Sequence, residues 1–207
     1  MSVKAPRAVD GAAIGDELED WLSGDGDKTV GSLIQVFGSK SFALLFVLLL
    51  GVSALPIPTG GATHVFDILA VLVAGQLVIG RDHVWIPRRW RGLRLAGGRQ
   101  ERFIKLLQRF IRRLERLSKP RLAFLFDHRL SNAVFGLVVI AFTVAAFLAP
   151  PFSGLDTFPG LGVVLVSLGV LLEDFLIVGV GLAAGVGGIA LTITLGSAAL
   201  KGISHLF

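Results

Sequence analysis

Apolar residues in this chain come in long runs that stop at prolines, glycines or arginines. Residues 42–55 form a 14-residue apolar run. As a helix it is about 21 Å long at 1.5 Å per residue, short of a hydrocarbon core of about 30 Å. Pro56 and Pro58, followed by Gly60 and Gly61, forbid its continuation. Residues 62–79 are apolar except for Thr63, His64, Asp67 and Gln76, and 18 positions suffice for a second span. A 17-residue run at 133–149 predicts a third, broken by Pro150, Pro151 and the loop through Pro159. Residues 161–172 add a short run, and residues 175–195 continue for 21 positions without a charge, a full span. Two stretches carry helical spacing instead. Leu33, Ile34 and Phe37 predict an interfacial lead-in helix, and Phe103, Leu107, Phe110, Leu114 and Leu117 form an apolar stripe on a helix over 99–117 whose other faces are basic.

The runs repeat. Twenty-three residues lie between Pro58 and Asp82, as between Pro150 and Asp174, and one offset of 92 residues superimposes both pairs. The pattern predicts an all-α membrane protein with four to five transmembrane or half-membrane helices, arranged as two Pro-broken units joined by a basic amphipathic helix. The expected divisions are an acidic flexible tail at 1–28, a first membrane unit at 29–95, the linker helix at 96–121 and a second membrane unit at 122–207. Within the tail, Ile14, Leu18, Trp21 and Leu22 have the spacing of a short amphipathic turn. Parallel and inverted arrangements of the two units both fit the spacing.

Composition sharpens the class. Hydrophobic residues make up 53% of the chain, and mean hydropathy is +0.75, well above a soluble average. There is no Cys, which excludes disulfides, thiol nucleophiles and Cys-bound metals. Residues 1–28 carry seven acids and no apolar core, so they are not expected to be a cleaved secretory signal. The net charge of +5 is unevenly spread: residues 80–133 hold 15 of the 20 Lys and Arg. Beside apolar spans this is the pattern of a cytoplasmic segment of an inner-membrane protein. It favours anionic lipid as the partner of Arg109, Arg112 and Arg113 over nucleic acid or a calmodulin-like reader of basic helices.

The chemistry is sparse. The four His are scattered, with no metal-binding spacing, and no nucleophile turn is present, so neither enzyme activity nor a metal or cofactor is expected. What stands out is acids and a histidine in or beside apolar runs: His64, Asp67, Asp156, Glu173 and Asp174. Such groups are costly in lipid and mark ion or substrate paths, unless each merely ends a span in water. His64 and Asp67 are three apart and share a helix face. Gly181 with Gly185, and Ala184 with Gly188, offer a small-residue face for close helix packing.

The ordered stretches FGSKSFALLFVLLLGVSALPIPTG, GQLVIGRDHVWIPRR, KPRL and PPFSGLDTFPGLGVVLVSLGVLLEDFLIVGVGLAAG resemble the bacterial ExoD family of exopolysaccharide-synthesis membrane proteins over residues 30–190. The resemblance implies a role linked to exopolysaccharide production and to tolerance of alkaline conditions. With it, the intramembrane acids predict a small transporter or ion-coupled carrier, with a non-catalytic scaffold of the exopolysaccharide machinery as the alternative. About 200 residues is small for a carrier, and a homodimer is expected.

Overall fold

The structure, a computed structural model, describes residues 14–24, 26–51, 54, 63–92, 99–118, 129–149 and 154–204. Pro56, Pro58, Gly60, Gly61, Pro150 and Pro151 lie outside the described residues. Within them the chain is all-helical: α1 (Ile14–Ser23), α2 (Val30–Phe37), a 3-10 turn (Gly38–Lys40), α3 (Ser41–Leu50), α4 (Thr63–Val78), α5 (Arg88–Arg91), α6 (Arg99–Leu117), α7 (Arg129–Leu148), α8 (Thr157–Leu171) and α9 (Phe175–Ser204).

Two of these, Arg129–Leu148 and Phe175–Leu195, are long and apolar enough to cross a membrane. They are not the core helices of the molecule, since only 33% and 17% of their apolar windows are buried inside it. The interior belongs to the shorter helices. Every described side chain of α3 except Leu48 and Leu49 is buried, and α8 is buried on nearly all sides from Pro159 to Leu171. α3 packs on α8 and α4, α4 packs on α7, and α9 lies along α8. Helices too short for a bilayer are acceptable where protein surrounds them.

α4 and α8 end alike. After Val78, Gly80 takes a left-handed conformation (φ 84°), Arg81 N donates to Gln76 O (3.0 Å) and Gly80 N to Leu77 O (2.9 Å). After Leu171, Glu173 takes the same conformation (φ 54°), Asp174 N donates to Gly169 O (2.9 Å) and Glu173 N to Val170 O (3.3 Å). Both are Schellman caps. Gln76 is explained by its own pair of bonds with Trp85, whose N–H it accepts at 2.7 Å and whose carbonyl it reaches at 3.1 Å.

Three expectations need correction. Pro159 does not break a helix but lies in the first turn of α8, where a proline's missing N–H has no intrahelical partner to lose. The acidic tail is helical from Ile14, and Ile14, Leu18 and Trp21 are buried. They meet α6, and this shifts the α6 stripe: Ile104, Leu107 and Ile111 are its buried positions, whereas Phe110 remains exposed. Phe103 and Leu117 lie outside the described side chains.

Candidate functional site

The bundle has two polar ends. One gathers the N-terminus of α4, the C-terminus of α7 and the N-terminus of α8; the other gathers the N-termini of α3 and α7 with the C-termini of α4 and α8. Outside the first 40 residues and the basic 80–133 segment, the chain's acids are Asp67, Asp156, Glu173 and Asp174. The fold sorts them into pairs, one pair at each end.

At the first end Asp67 is only 3% exposed, although it sits on a helix with an apolar outer face. Its Oδ2 is 3.3 Å from His64 Nδ1, one turn earlier on α4. The His64 ring is set by Phe147 of α7, with ring centroids 4.7 Å apart. Asp156, at the start of α8, lies within electrostatic reach of Asp67 and makes no capping bond with its side chain. Asp67 Oδ1 has no hydrogen-bond partner among the described residues. α4 and α7 run antiparallel, with Gly136 against Ala74 and Phe147 against His64, so Thr143 falls at the height of Asp67. Thr143 Oγ1 is buried and also without a partner among the described residues. A buried carboxylate oxygen and a buried hydroxyl thus stand at one height, both without a partner among the described residues.

At the second end the acids do different work. Asp174 is buried, and its Oδ1 accepts the N–H of Leu176 at 2.9 Å, which makes it the N-cap of α9. Glu173 pairs with Lys40 at 3.5 Å, both groups partly exposed. Glu173 lies in a cavity wall with Leu77, ten residues and so about 15 Å along α4 from Asp67. Asp67 and the Glu173/Asp174 pair therefore do not share a cavity. Pro159 and Asp156 flank the first end through α8, and the remaining Pro and Gly positions lie outside the described residues.

The basic helix also departs from expectation. Arg109 and Arg113 are exposed, but Arg112 turns toward α1, 2.8 Å from Asp16 and in contact with Glu19. Gly15 N donates to Glu115 at 2.9 Å, and Gln108 reaches Glu19 at 3.2 Å. The acidic helix thus packs on α6 and engages one of the three arginines expected to meet lipid. Burial pushes the Glu17 carboxyl above its ordinary range, with Lys40 pulling the other way. Thr143, Lys40, Arg81 and Asn132 were not singled out by sequence reasoning. A lone hydroxyl in an apolar run was the one signal for Thr143, and span-end charges gave none for the others.

The family description "Exopolysaccharide synthesis, ExoD" matches residues 14–194. The chain belongs to the ExoD family. Protein ExoD of Rhizobium meliloti (strain 1021) is 29% identical over 186 residues, 86% of this chain and 76% of that protein. The uncharacterized protein slr1875 of Synechocystis sp. is 29% identical over 174 residues, 83% of this chain and 81% of that one. No solved structure matches. The ExoD family is linked to exopolysaccharide synthesis, and its match begins at the first residue of α1, so the helix docked on α6 lies within the family's extent.

Proposed function

We propose that this chain is a multi-pass inner-membrane protein of exopolysaccharide synthesis that acts as a small ion-coupled carrier and supports growth in alkaline conditions. The observation that carries this reading is the unpartnered Oδ1 of buried Asp67, level with the unpartnered hydroxyl of Thr143 and flanked by His64 and Asp156. Ionisable groups in that setting are the elements of proton and cation paths.

The remaining features fit the reading. α4, α7 and α9 turn large apolar side chains outward, among them Leu72, Val134, Leu137, Val180 and Val186, as lipid-facing helices do. The pairings of α3 with α8 and of α7 with α4, together with matching caps on α4 and α8, support two parallel units about an axis along the membrane normal. Positive charge at one end supports a cytoplasmic placement of residues 80–133. Reconstitution into liposomes under an imposed pH gradient tests the proposal. Asp67→Asn abolishes proton-linked flux at normal insertion, and it fails to restore growth at raised pH in a bacterium lacking its own family member. Full complementation by Asp67→Asn at matched protein level refutes the carrier.

That outcome would favour a scaffold. Its supporting observation is the exposed face of α6, where Leu106 and Phe110 stand beside Arg109 and Arg113, a surface suited to anionic lipid.

A further inference from the structure

At the basic end of the bundle lies a cavity of about 230 Å³, open to one side. Its rim carries Lys40, Arg81, Asp82, Asn132 and Glu173, and its floor is apolar, with Phe135 and Leu171. Residues 92 apart, the spacing that relates the two Pro-to-Asp segments, supply this rim in pairs: Lys40 with Asn132, and Arg81 with Glu173. The cavity therefore lies where the two units meet, and the units are not equivalent there. The first contributes two cations and an acid, Asp82, and the second contributes an amide and one acid.

The state of the charges points to a ligand. Lys40 is held by Glu173 at 3.5 Å, beyond a good charge-assisted hydrogen bond, and both side chains are partly exposed. Glu173 holds that place from a left-handed backbone, the one positive φ among the described residues that is not a glycine. Arg81 makes no ion pair among the described residues. Arg129 approaches from α7, its Nη2 3.4 Å from the carbonyl of Gly80. Two cations and an amide from three different segments converge on one apolar-floored opening beside two acids, Asp82 and Glu173, and Glu173, which covers Lys40, is loosely held.

We propose that this cavity binds a phosphate group, with Lys40, Arg81 and Asn132 as its donors and Glu173 as the group it displaces from Lys40. Arg and Lys together supply the directional and the point charge that phosphate oxygens accept. The apolar floor and the exposed Trp85 and Trp90 of the adjoining segment set the opening at headgroup depth. The phosphate is either the diester of an anionic phospholipid or free in the cytoplasm. The site rests on the membrane reading of the chain and not on proton coupling at Asp67.

The test uses the full chain purified in detergent. Native mass spectrometry counts retained phosphatidylglycerol against diacylglycerol, which lacks the phosphate, and thermal shift reports inorganic phosphate against chloride. The Lys40→Ala, Arg81→Ala double variant weakens binding about tenfold or more, Glu173→Gln strengthens it severalfold, and Asp67→Asn leaves it unchanged. A gain in Glu173→Gln cannot come from misfolding. Phosphatidylglycerol retained without a response to inorganic phosphate identifies the lipid diester, and the reverse identifies the free anion. Binding of neither above its control, retention unaffected by the double variant, or weaker binding in Glu173→Gln overturns the proposal. Loss of flux in Asp67→Asn with phosphate binding intact separates this site from the coupling site.

Discussion

Gly162→Ala tests the packing of α8 on α9 with a single methyl group. A Cβ at Gly162 would stand 2.6 Å from Gly185 Cα, 2.8 Å from Gly185 N and 3.0 Å from Gly181 O. All three are backbone atoms of α9, so no side chain can turn aside. Carbon contacts settle near 3.5–4.0 Å, so α9 must retreat by about 1 Å along this seam. Over-filling a packed site costs about 1–3 kcal/mol, and a retreat of that size also forfeits a quarter to a half of the dispersion attraction at neighbouring contacts. The expected loss is thus about 3 kcal/mol. Gly179→Ala on the same helix is the control, because a Cβ there meets nothing within 4 Å. Replacing a helical glycine by alanine at an open position gains about 0.5–1 kcal/mol. Denaturant unfolding in mixed micelles, followed by tryptophan fluorescence, compares the two. Equal midpoints for Gly162→Ala and Gly179→Ala would refute the close approach of the helices.

The helix caps give a second pair. Glu173→Gly relieves the left-handed strain and stabilises by up to about 1 kcal/mol, because the exposed ion pair it removes contributes little, whereas Gly80→Ala destabilises by about the same amount in thermal unfolding. Arg112→Glu places like charges against Asp16 and Glu19 and should release α1, seen as faster hydrogen exchange over residues 14–23 with α7 and α9 unchanged. For Glu17 the folded state holds its proton more tightly than the unfolded state, so the penalty is absent below the ordinary carboxylate range and grows as pH rises through the raised value. Protection of α1 should therefore fall with rising pH in that window, and Glu17→Gln should remove this part of the dependence.

The apolar helices were legible because long apolar runs between prolines, glycines and charges leave helix as the simplest way to satisfy the backbone. The His64 and Asp67 pair was legible for the same local reason, since a spacing of three places two side chains on one helix face. Where the reading failed, the deciding partner was distant in sequence or the backbone geometry was hidden. Ile14, Leu18 and Trp21 were visible as a stripe, but only α6, almost 100 residues on, makes them a packed helix and not a tail. Asp174 resembled a membrane acid until α9 was seen to begin beside it, which turns it into a cap. Pro159 was read by residue type as a breaker, although a helix start is where proline is best tolerated. Glu173 carries nothing in its sequence context to announce a left-handed backbone, a conformation that glycine provides at the equivalent cap of α4.

The two ends of the bundle are about 15 Å apart along α4, and a carrier must connect them. Among the described residues, one buried polar atom without a partner lies between, Ser167 Oγ, four residues and so about 6 Å from the cavity wall at Leu171, and another, Thr143 Oγ1, stands level with Asp67, eight residues and about 12 Å beyond Phe135. Each could in principle bond back to its own helix carbonyl, and neither does. An unsatisfied buried hydroxyl costs about 1–3 kcal/mol, and valine has nearly the same shape as threonine without that penalty. Thr143→Val should therefore raise the unfolding midpoint by an amount equivalent to about 1 kcal/mol, the fate of a residue kept for reasons other than stability. If Thr143 completes the polar shell around Asp67, the stabilised variant loses proton-linked flux and growth at raised pH. Destabilisation by Thr143→Val would mean that the hydroxyl is satisfied in the membrane and would remove it from the path. Stabilisation with full complementation would leave Thr143 as a packing residue and the chain as a scaffold.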